Sequence, residues 1–366
     1  MVYLYSLIVK KAYYSFIAIV KFRYKFNVER GFANMIEKSK AKEASGVLDA
    51  VINNVETVIV GKREAVELVV CALVARGHVL LEDLPGTGKT SLVRALARSV
   101  DCKFSRIQFT PDVMPSDVSG FSIFNQKTRD FEFRPGGIMS NLVLADEINR
   151  ASAKTQSALL EAMEERQVTV DGITHALDAP FMVLATQNPI EQYGTYPLPE
   201  AQLDRFLIKL SMGYPLMDEE VRVVLKSAAA KASIKPVATA AQLVSIQQCA
   251  QNVHVSVPVA RYAVQVCAAT RSMRECACGS SPRGSIALIA LAQAHALLRG
   301  RTYVVPDDIK YLAPYVLGHR IILTHEAKVQ GRTAAAVVDS ILDSVEVPLA
   351  SENDFAPNGA GEEASK

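Results

Sequence analysis

Residues 78–96 read HVLLEDLPGTGKTSLVRAL, and this stretch decides the fold. An apolar run from Val79 to Leu81 gives way to a turn-rich loop, after which Leu92, Val93, Leu96 and Val100 recur at helical spacing. The pattern predicts strand, loop, helix. The loop matches GxxxxGK(S/T), closing on Gly88, Lys89 and Thr90, with Asp83 standing where the first glycine is expected. Gly86 and Gly88 let backbone amides turn inward around phosphates, and the helix N-terminus adds its positive end. Pro85, Thr87 and Ser91 complete the cradle, Lys89 reaches the terminal phosphates and Thr90 offers a hydroxyl to Mg2+. The bland alternative is a glycine-rich turn with no ligand.

Downstream, NLVLADEINR gives a second strand, 141–145, that ends in two adjacent carboxylates, Asp146 and Glu147. Open parallel sheets place ligand chemistry at the carboxyl ends of their strands. The pair divides labour: Asp146 holds the magnesium water shell, and Glu147 accepts a proton from the attacking water. A solvated strand end would also carry charge, but beside a phosphate loop that reading loses most of its weight. Two more stretches repeat the pattern of apolar strand and polar terminus. FMVLATQN ends on Asn188, and AQLDRFLIKL puts Asp204 and Arg205 just before an apolar run. Strands are thus expected at 79–81, 104–109, 142–146, 181–187 and 206–210, separated by helical segments. That is an α/β fold with a parallel five-stranded sheet and helices on both faces. From Asp218 to about Ser344 helical periodicity dominates (Ile286, Ile289, Ala290, Gln293, Leu297), and the expected breaks are Pro236, Pro258, Pro282 and Pro306.

Length and composition agree. The 366 residues leave room for two or three domains, and 49% hydrophobic with 21% charged residues is ordinary globular usage. Formal net charge is +2, yet residues 1–34 hold six Lys/Arg against one Glu, leaving 34 basic against 37 acidic residues in the body. Bulk charge therefore does not mark a polyanion-binding protein. Six cysteines, several inside apolar helical stretches, form neither a disulfide framework nor a zinc knuckle, and a reducing cytoplasm is the natural compartment. The lone CxC at Cys276 and Cys278 reads as two small residues at a helix end. Residues 1–26 form two apolar runs split by Lys10 and Lys11, neither long enough to span a bilayer. An interfacial anchor giving peripheral membrane association, an unprocessed targeting segment and an extension from an early start codon all fit, and the last is favoured. The final stretch, SENDFAPNGAGEEASK, is acidic and rich in small residues, as a frayed tail would be.

Over roughly residues 46–340 the chain resembles the AAA+ ATPases, and within them the MoxR family. The resemblance rests on VIVGKREAVELVVCAL, LLEDLPGTGKT, RIQFTPDVMPSDVSG, FEFRPGGIMSN, LADEINRASAKTQSALLEAMEERQVTVDG, PFMVLATQNPIEQYGTYPLPEAQLDRF and GSSPRGSIAL, in that order. It implies a P-loop ATPase core at 35–215 and an all-α lid at 216–345, flanked by the extension at 1–34 and a tail at 346–366. It also implies ATP with Mg2+, Val60 and Gly61 against the adenine, and Asn188 at the sensor 1 position. Arg205 falls at the arginine-finger position, supplied to a neighbouring subunit of a ring, with a hexamer expected. Arg283 looks like sensor 2, acting on its own subunit or a neighbour. Arg150 follows the acidic pair and could reach the adjacent subunit, though a helix-start arginine is common. The family commonly carries Asp or Gly where Asp83 stands, so Asp83→Gly is expected to keep hydrolysis within a few-fold.

Two hairpins are expected: FSIFNQKTRDFEF, where Phe121, Ile123, Phe131 and Phe133 alternate with polar residues, and RQVTVDGITHAL, turning at Asp171-Gly172. In related machines such hairpins touch substrate. The implied function is chaperone-like remodelling, maturation or metal and cofactor insertion of protein clients, with a von Willebrand factor A domain protein as partner. Lys127, Arg129 and Arg134 are too few to make nucleic acid the expected partner. The rivals are a nucleic-acid or magnesium-chelatase-like motor and a nucleotide-switched scaffold without turnover. The scaffold has no need of Glu147, Asn188 or Arg205.

Overall fold

In the three central strands of the main sheet, at 79–81, 142–145 and 182–185, successive residues are buried on opposite faces, so these stretches read as unbroken apolar runs. The structure, a computed structural model, describes residues 36–83, 86–188, 196–228 and 234–348. The chain begins with α1 (Lys38–Glu56), α2 (Arg63–Val74), β1 (Val79–Glu82), α3 (Lys89–Ser99) and β2 (Phe104–Gln108). A short helix α4 (Pro115–Ser119) leads into the hairpin β3 (Gly120–Asn125) and β4 (Asp130–Pro135). Then come β5 (Leu142–Asp146), α5 (Ala153–Glu165) and a second hairpin, β6 (Gln167–Val170) and β7 (Ile173–Ala176). β8 (Met182–Gln187), α6 (Glu200–Leu203) and β9 (Ile208–Leu210) complete the α/β part.

The sheet order is β2-β5-β8-β1-β9, and every pairing in it is parallel. Gln108 lies opposite Asp146, and Glu82 opposite Gln187, so the carboxyl ends of four strands share one edge. Val79, Leu81, Leu142, Leu144, Met182 and Leu184 pack into the core shared with α1, α2, α3 and the later helices. Their neighbours Leu80, Val143, Ala145, Val183 and Ala185 pack the other way, with Val118, Leu159, Leu160 and Met163. Just ahead of β1, His78 is buried between Met163 and Val183. Its Nδ1 accepts from the Val183 N–H (2.9 Å), and its Nε2 donates to the Met163 carbonyl (3.0 Å). Burial, with Arg166 nearby, pushes this imidazole down to about 4 and keeps it neutral.

The remaining helices are α7 (Met217–Ala228), α8 (Ala240–Gln251), α9 (Val257–Ala269), α10 (Pro282–Leu298), α11 (Pro306–Leu317), α12 (His325–Val329) and α13 (Ala334–Ser344). Pro258, Pro282 and Pro306 each sit in the first turn of a helix, where the missing N–H costs nothing. They start helices rather than merely interrupt them. The helical region also holds one short antiparallel ladder, β10 (Cys276–Cys278) with β11 (Ile322–Leu323). Cys276 and Cys278 therefore lie on a strand, not at a helix end as the sequence suggested, because this segment finds a partner in β11.

Both expected hairpins are present, and Phe133 stacks on His175 at 3.8 Å to join them. In the first, Phe121 faces Arg134 and Ile123 faces Glu132, while Phe124 faces Phe131, so apolar residues appear on both of its faces. Phe121, Ile123, Phe124 and Phe131 are exposed. The readings of the N-terminal anchor and the frayed tail lie outside the described residues. Among the described residues, no helix is long and apolar enough to cross a membrane.

Candidate functional site

The site is built where β1 turns into α3. Gly88 caps α3 in a left-handed conformation (φ +89°), and Gly86 is left-handed too (φ +87°). A Cβ at either would meet no other atom, so the requirement is conformational rather than spatial. This turns the loop so that the first amides of α3, with no intrahelical partners, head one side of a cleft of about 360 Å³. Lys89 Nζ donates to the Asp83 carbonyl at 2.9 Å.

The carboxyl ends of β5 and β8 form the opposite side. Glu147 itself is left-handed (φ +59°), a conformation that costs a non-glycine residue on the order of 1 kcal/mol or more. Thr186 holds both acids: its hydroxyl donates to Asp146 Oδ1 at 2.6 Å and accepts the Glu147 N–H at 2.9 Å. Arg106 on β2 donates to Asp146 Oδ2 through Nη2 (2.6 Å) and Nε (3.1 Å), and also reaches Gln108 Oε1. Gln108 Nε2 donates to Glu147 Oε2 at 3.0 Å, and Arg150 Nη1 reaches the same oxygen at 3.1 Å.

Nine of the residues singled out in the sequence line this cleft: Asp83, Gly86, Gly88, Lys89, Thr90, Ser91, Asp146, Glu147 and Asn188. Thr87 lies between the two glycines and Pro85 lies outside the described residues. Val60 and Gly61 are not at the cleft. Glu219, at the start of α7, covers Gly61 so closely that a Cβ there would fall 2.0 Å from its carboxyl group. Arg205 and Arg283 do not line the cleft either. Both pair with Glu164 near the end of α5, Arg205 at 3.1 Å through Nε and Arg283 through Nη2.

Arg106 and Gln108 were not singled out in the sequence, although their i, i+2 spacing on a strand does place them on one face. Among the described residues, no group of three or more His, Cys, Asp or Glu side chains could hold a metal. A magnesium ion fits this donor set all the same. It binds through one or two carboxylates and completes its shell with water and phosphate oxygens, and Thr90 and Asp146 face one cleft.

Residues 78–208 match the family model for the ATPase family associated with various cellular activities, and residues 268–341 match an AAA lid domain. The chain is 54% identical over 305 residues to the uncharacterized protein YeaC of Bacillus subtilis, spanning 83% of this chain and 95% of that one. Chaperone MoxR1 of Mycobacterium tuberculosis is 43% identical over 310 residues, 82% of each chain. A crystal structure of a candidate ATPase from Cytophaga hutchinsonii superposes with a TM-score of 0.80 at 38% identity, covering 85% of this chain and 98% of that one.

Proposed function

Because the chain belongs to the MoxR family of AAA+ ATPases, we propose that it is a ring-forming, magnesium-dependent ATP hydrolase of the cytoplasm that remodels or matures protein clients. One observation carries the reading: the amides of α3 with Lys89 and Thr90, and the carboxylates Asp146 and Glu147, line one cleft. A phosphate chain needs the first set and water activation needs the second.

The amides of Gly86 to Ser91 and the ammonium of Lys89 bind the phosphates. Thr90 and Asp146 would hold a magnesium ion, which when bound would offset charge on the phosphate chain. Glu147 takes the proton of the attacking water; its left-handed backbone is held by the Thr186 hydroxyl, and its carboxylate by Gln108 and Arg150 at the lining of the cleft. Asn188 orients that water. Val60 and Gly61 keep the adenine role on the family resemblance alone.

Arg205 and Arg283 serve a neighbouring subunit's site. Their joint attachment to Glu164, outside their own subunit's cleft, supports this over action in cis. The family's habit of working with von Willebrand factor A domain proteins supports such a partner here, and the exposed Phe121, Phe124 and Phe131 of the first hairpin suit an unfolded or loosely folded protein client better than a nucleic acid.

Glu147→Gln separates this reading from a nucleotide-switched scaffold. The expected outcome is ATP binding within a few-fold of wild type and turnover reduced by about 10²-fold or more, as loss of a general base dictates. Equal turnover by the variant would remove Glu147 from the reaction.

A further inference from the structure

Arg205 and Arg283 come from distant parts of the chain and meet at one carboxylate. Arg205 lies between α6 and β9, while Arg283 sits in the first turn of α10. Two guanidinium groups at a single Glu164 repel each other, and both are partly exposed, so Glu164 alone is a weak anchor for their positions.

The backbone that carries them is held by Arg320, in the turn after α11. Its side chain is 2% exposed. Nε donates to Asp204 Oδ1 at 2.7 Å, and Nη2 donates to the Asp204 carbonyl (3.2 Å) and the Phe206 carbonyl (2.6 Å). Nη1 donates to the Leu207 carbonyl at 3.1 Å and to the carbonyl of Val316 in the preceding α11. The guanidinium thus grips the chain on both sides of Arg205. The second carboxylate oxygen of Asp204 accepts from Ser281 Oγ at 3.0 Å, and Ser281 caps α10 by accepting the Arg283 N–H at 3.2 Å. Gly284 follows Arg283. A Cβ there would fall 2.0 Å from Ser280 Oγ and 3.4 Å from Arg320 Cδ, so the start of α10 seats closely on the same arginine.

A buried guanidinium is tolerated only when its donors are matched, and the planar fork of arginine sets several acceptors at once in a way that lysine's single ammonium cannot. We infer that Arg320 is a positioning residue for both Arg205 and Arg283: through Asp204 and Ser281 it fixes the two arginines as one unit that a subunit presents to its neighbour. The inference rests on the ring reading above. It places the consequence of losing Arg320 in the neighbour's turnover, because a subunit's own cleft is built from α3, β5 and β8.

Mixed rings test this. Wild-type subunits are assembled with an excess of Glu147→Gln subunits, which are expected to turn over about 10²-fold or more slower but still present their arginines. The comparison partners are Glu147→Gln/Arg205→Ala and Glu147→Gln/Arg320→Met. Expected is a loss of at least about tenfold in wild-type turnover with either double variant, relative to Glu147→Gln alone. Arg320→Met subunits should assemble and bind ATP within about twofold of Glu147→Gln, which a merely local folding defect of the site would not allow. Arg320→Lys keeps the charge and the chain packing but not the fork, and it should depress neighbouring turnover by at least about threefold with little change in Tm. It decides the matter if Arg320→Met does not fold. If both Arg320 variants support their neighbours as well as Glu147→Gln does while Arg205→Ala poisons them, the inference on Arg320 is overturned. If Arg205→Ala does not poison them either, it is the ring reading that falls.

Discussion

Asp83 stands where a phosphate loop ordinarily opens with glycine, and its carboxylate makes bonds that a glycine cannot. It is 3% exposed and accepts from Ser211 Oγ (2.7 Å), the Met212 N–H (2.7 Å) and the Gly213 N–H (2.9 Å). The first residue of the loop is therefore tied to the segment that leads from β9 to α7. The sequence-based expectation that Asp83→Gly keeps hydrolysis within a few-fold concerned activity, not stability. The variant also strips the partner from the buried Met212 N–H and from the part-buried Gly213 N–H, at about 1–3 kcal/mol for a buried donor and less for the other. Denaturant unfolding should show Asp83→Gly less stable by about 2–4 kcal/mol, with hydrolysis within a few-fold only at temperatures where it stays folded. A loss under about 0.5 kcal/mol would mean that these bonds are replaced by water without cost.

At the scale of elements, the joint between α10 and α11 depends on Asp308, whose side chain is 2% exposed. It accepts from His295 Nδ1 (2.6 Å), both terminal nitrogens of Arg301 (2.9 and 2.6 Å) and the Val305 N–H (2.9 Å). Burial alone would raise its carboxyl pKa, but these bonds to His295 and Arg301 hold it below the ordinary carboxylate range. Asp308→Ala leaves a partly buried cation without its anion, and the cost is about 3–5 kcal/mol. Hydrogen exchange should quicken first in α10 and α11, with the sheet still protected. Uniform quickening across both would show that the lid is not a separate cooperative unit. The elements themselves were legible in the sequence to the degree that burial is two-sided. β1, β5 and β8 read clearly because both faces are covered, whereas the expected strand at 206–210 starts two residues late, at Ile208. Phe206 and Leu207 present their carbonyls to Arg320 instead of to a neighbouring strand. β10, at three residues, is too short to show alternation. The phosphate loop and the acidic pair were legible because their chemistry is local in sequence. Arg106, Gln108 and Arg320 were not, since what they do depends on partners 39 to 116 residues away.

At the scale of the whole molecule, one subunit holds a cleft equipped for phosphate binding and water activation, while Arg205 and Arg283 stand outside it on Glu164. On the ring reading proposed above, a neighbour's arginines complete each cleft, and assembly is then a condition of turnover rather than an accompaniment to it. The direct test is ATP hydrolysis per subunit as a function of protein concentration, for wild type and Arg205→Ala, alongside size-exclusion profiles with and without ATP. The wild-type rate per subunit should rise as the oligomer forms. Arg205→Ala should assemble yet turn over about 10²-fold or more slower at every concentration, in keeping with loss of a charge-stabilising arginine. A rate per subunit that does not change on assembly, or an Arg205→Ala variant as fast as wild type, would contradict the shared site.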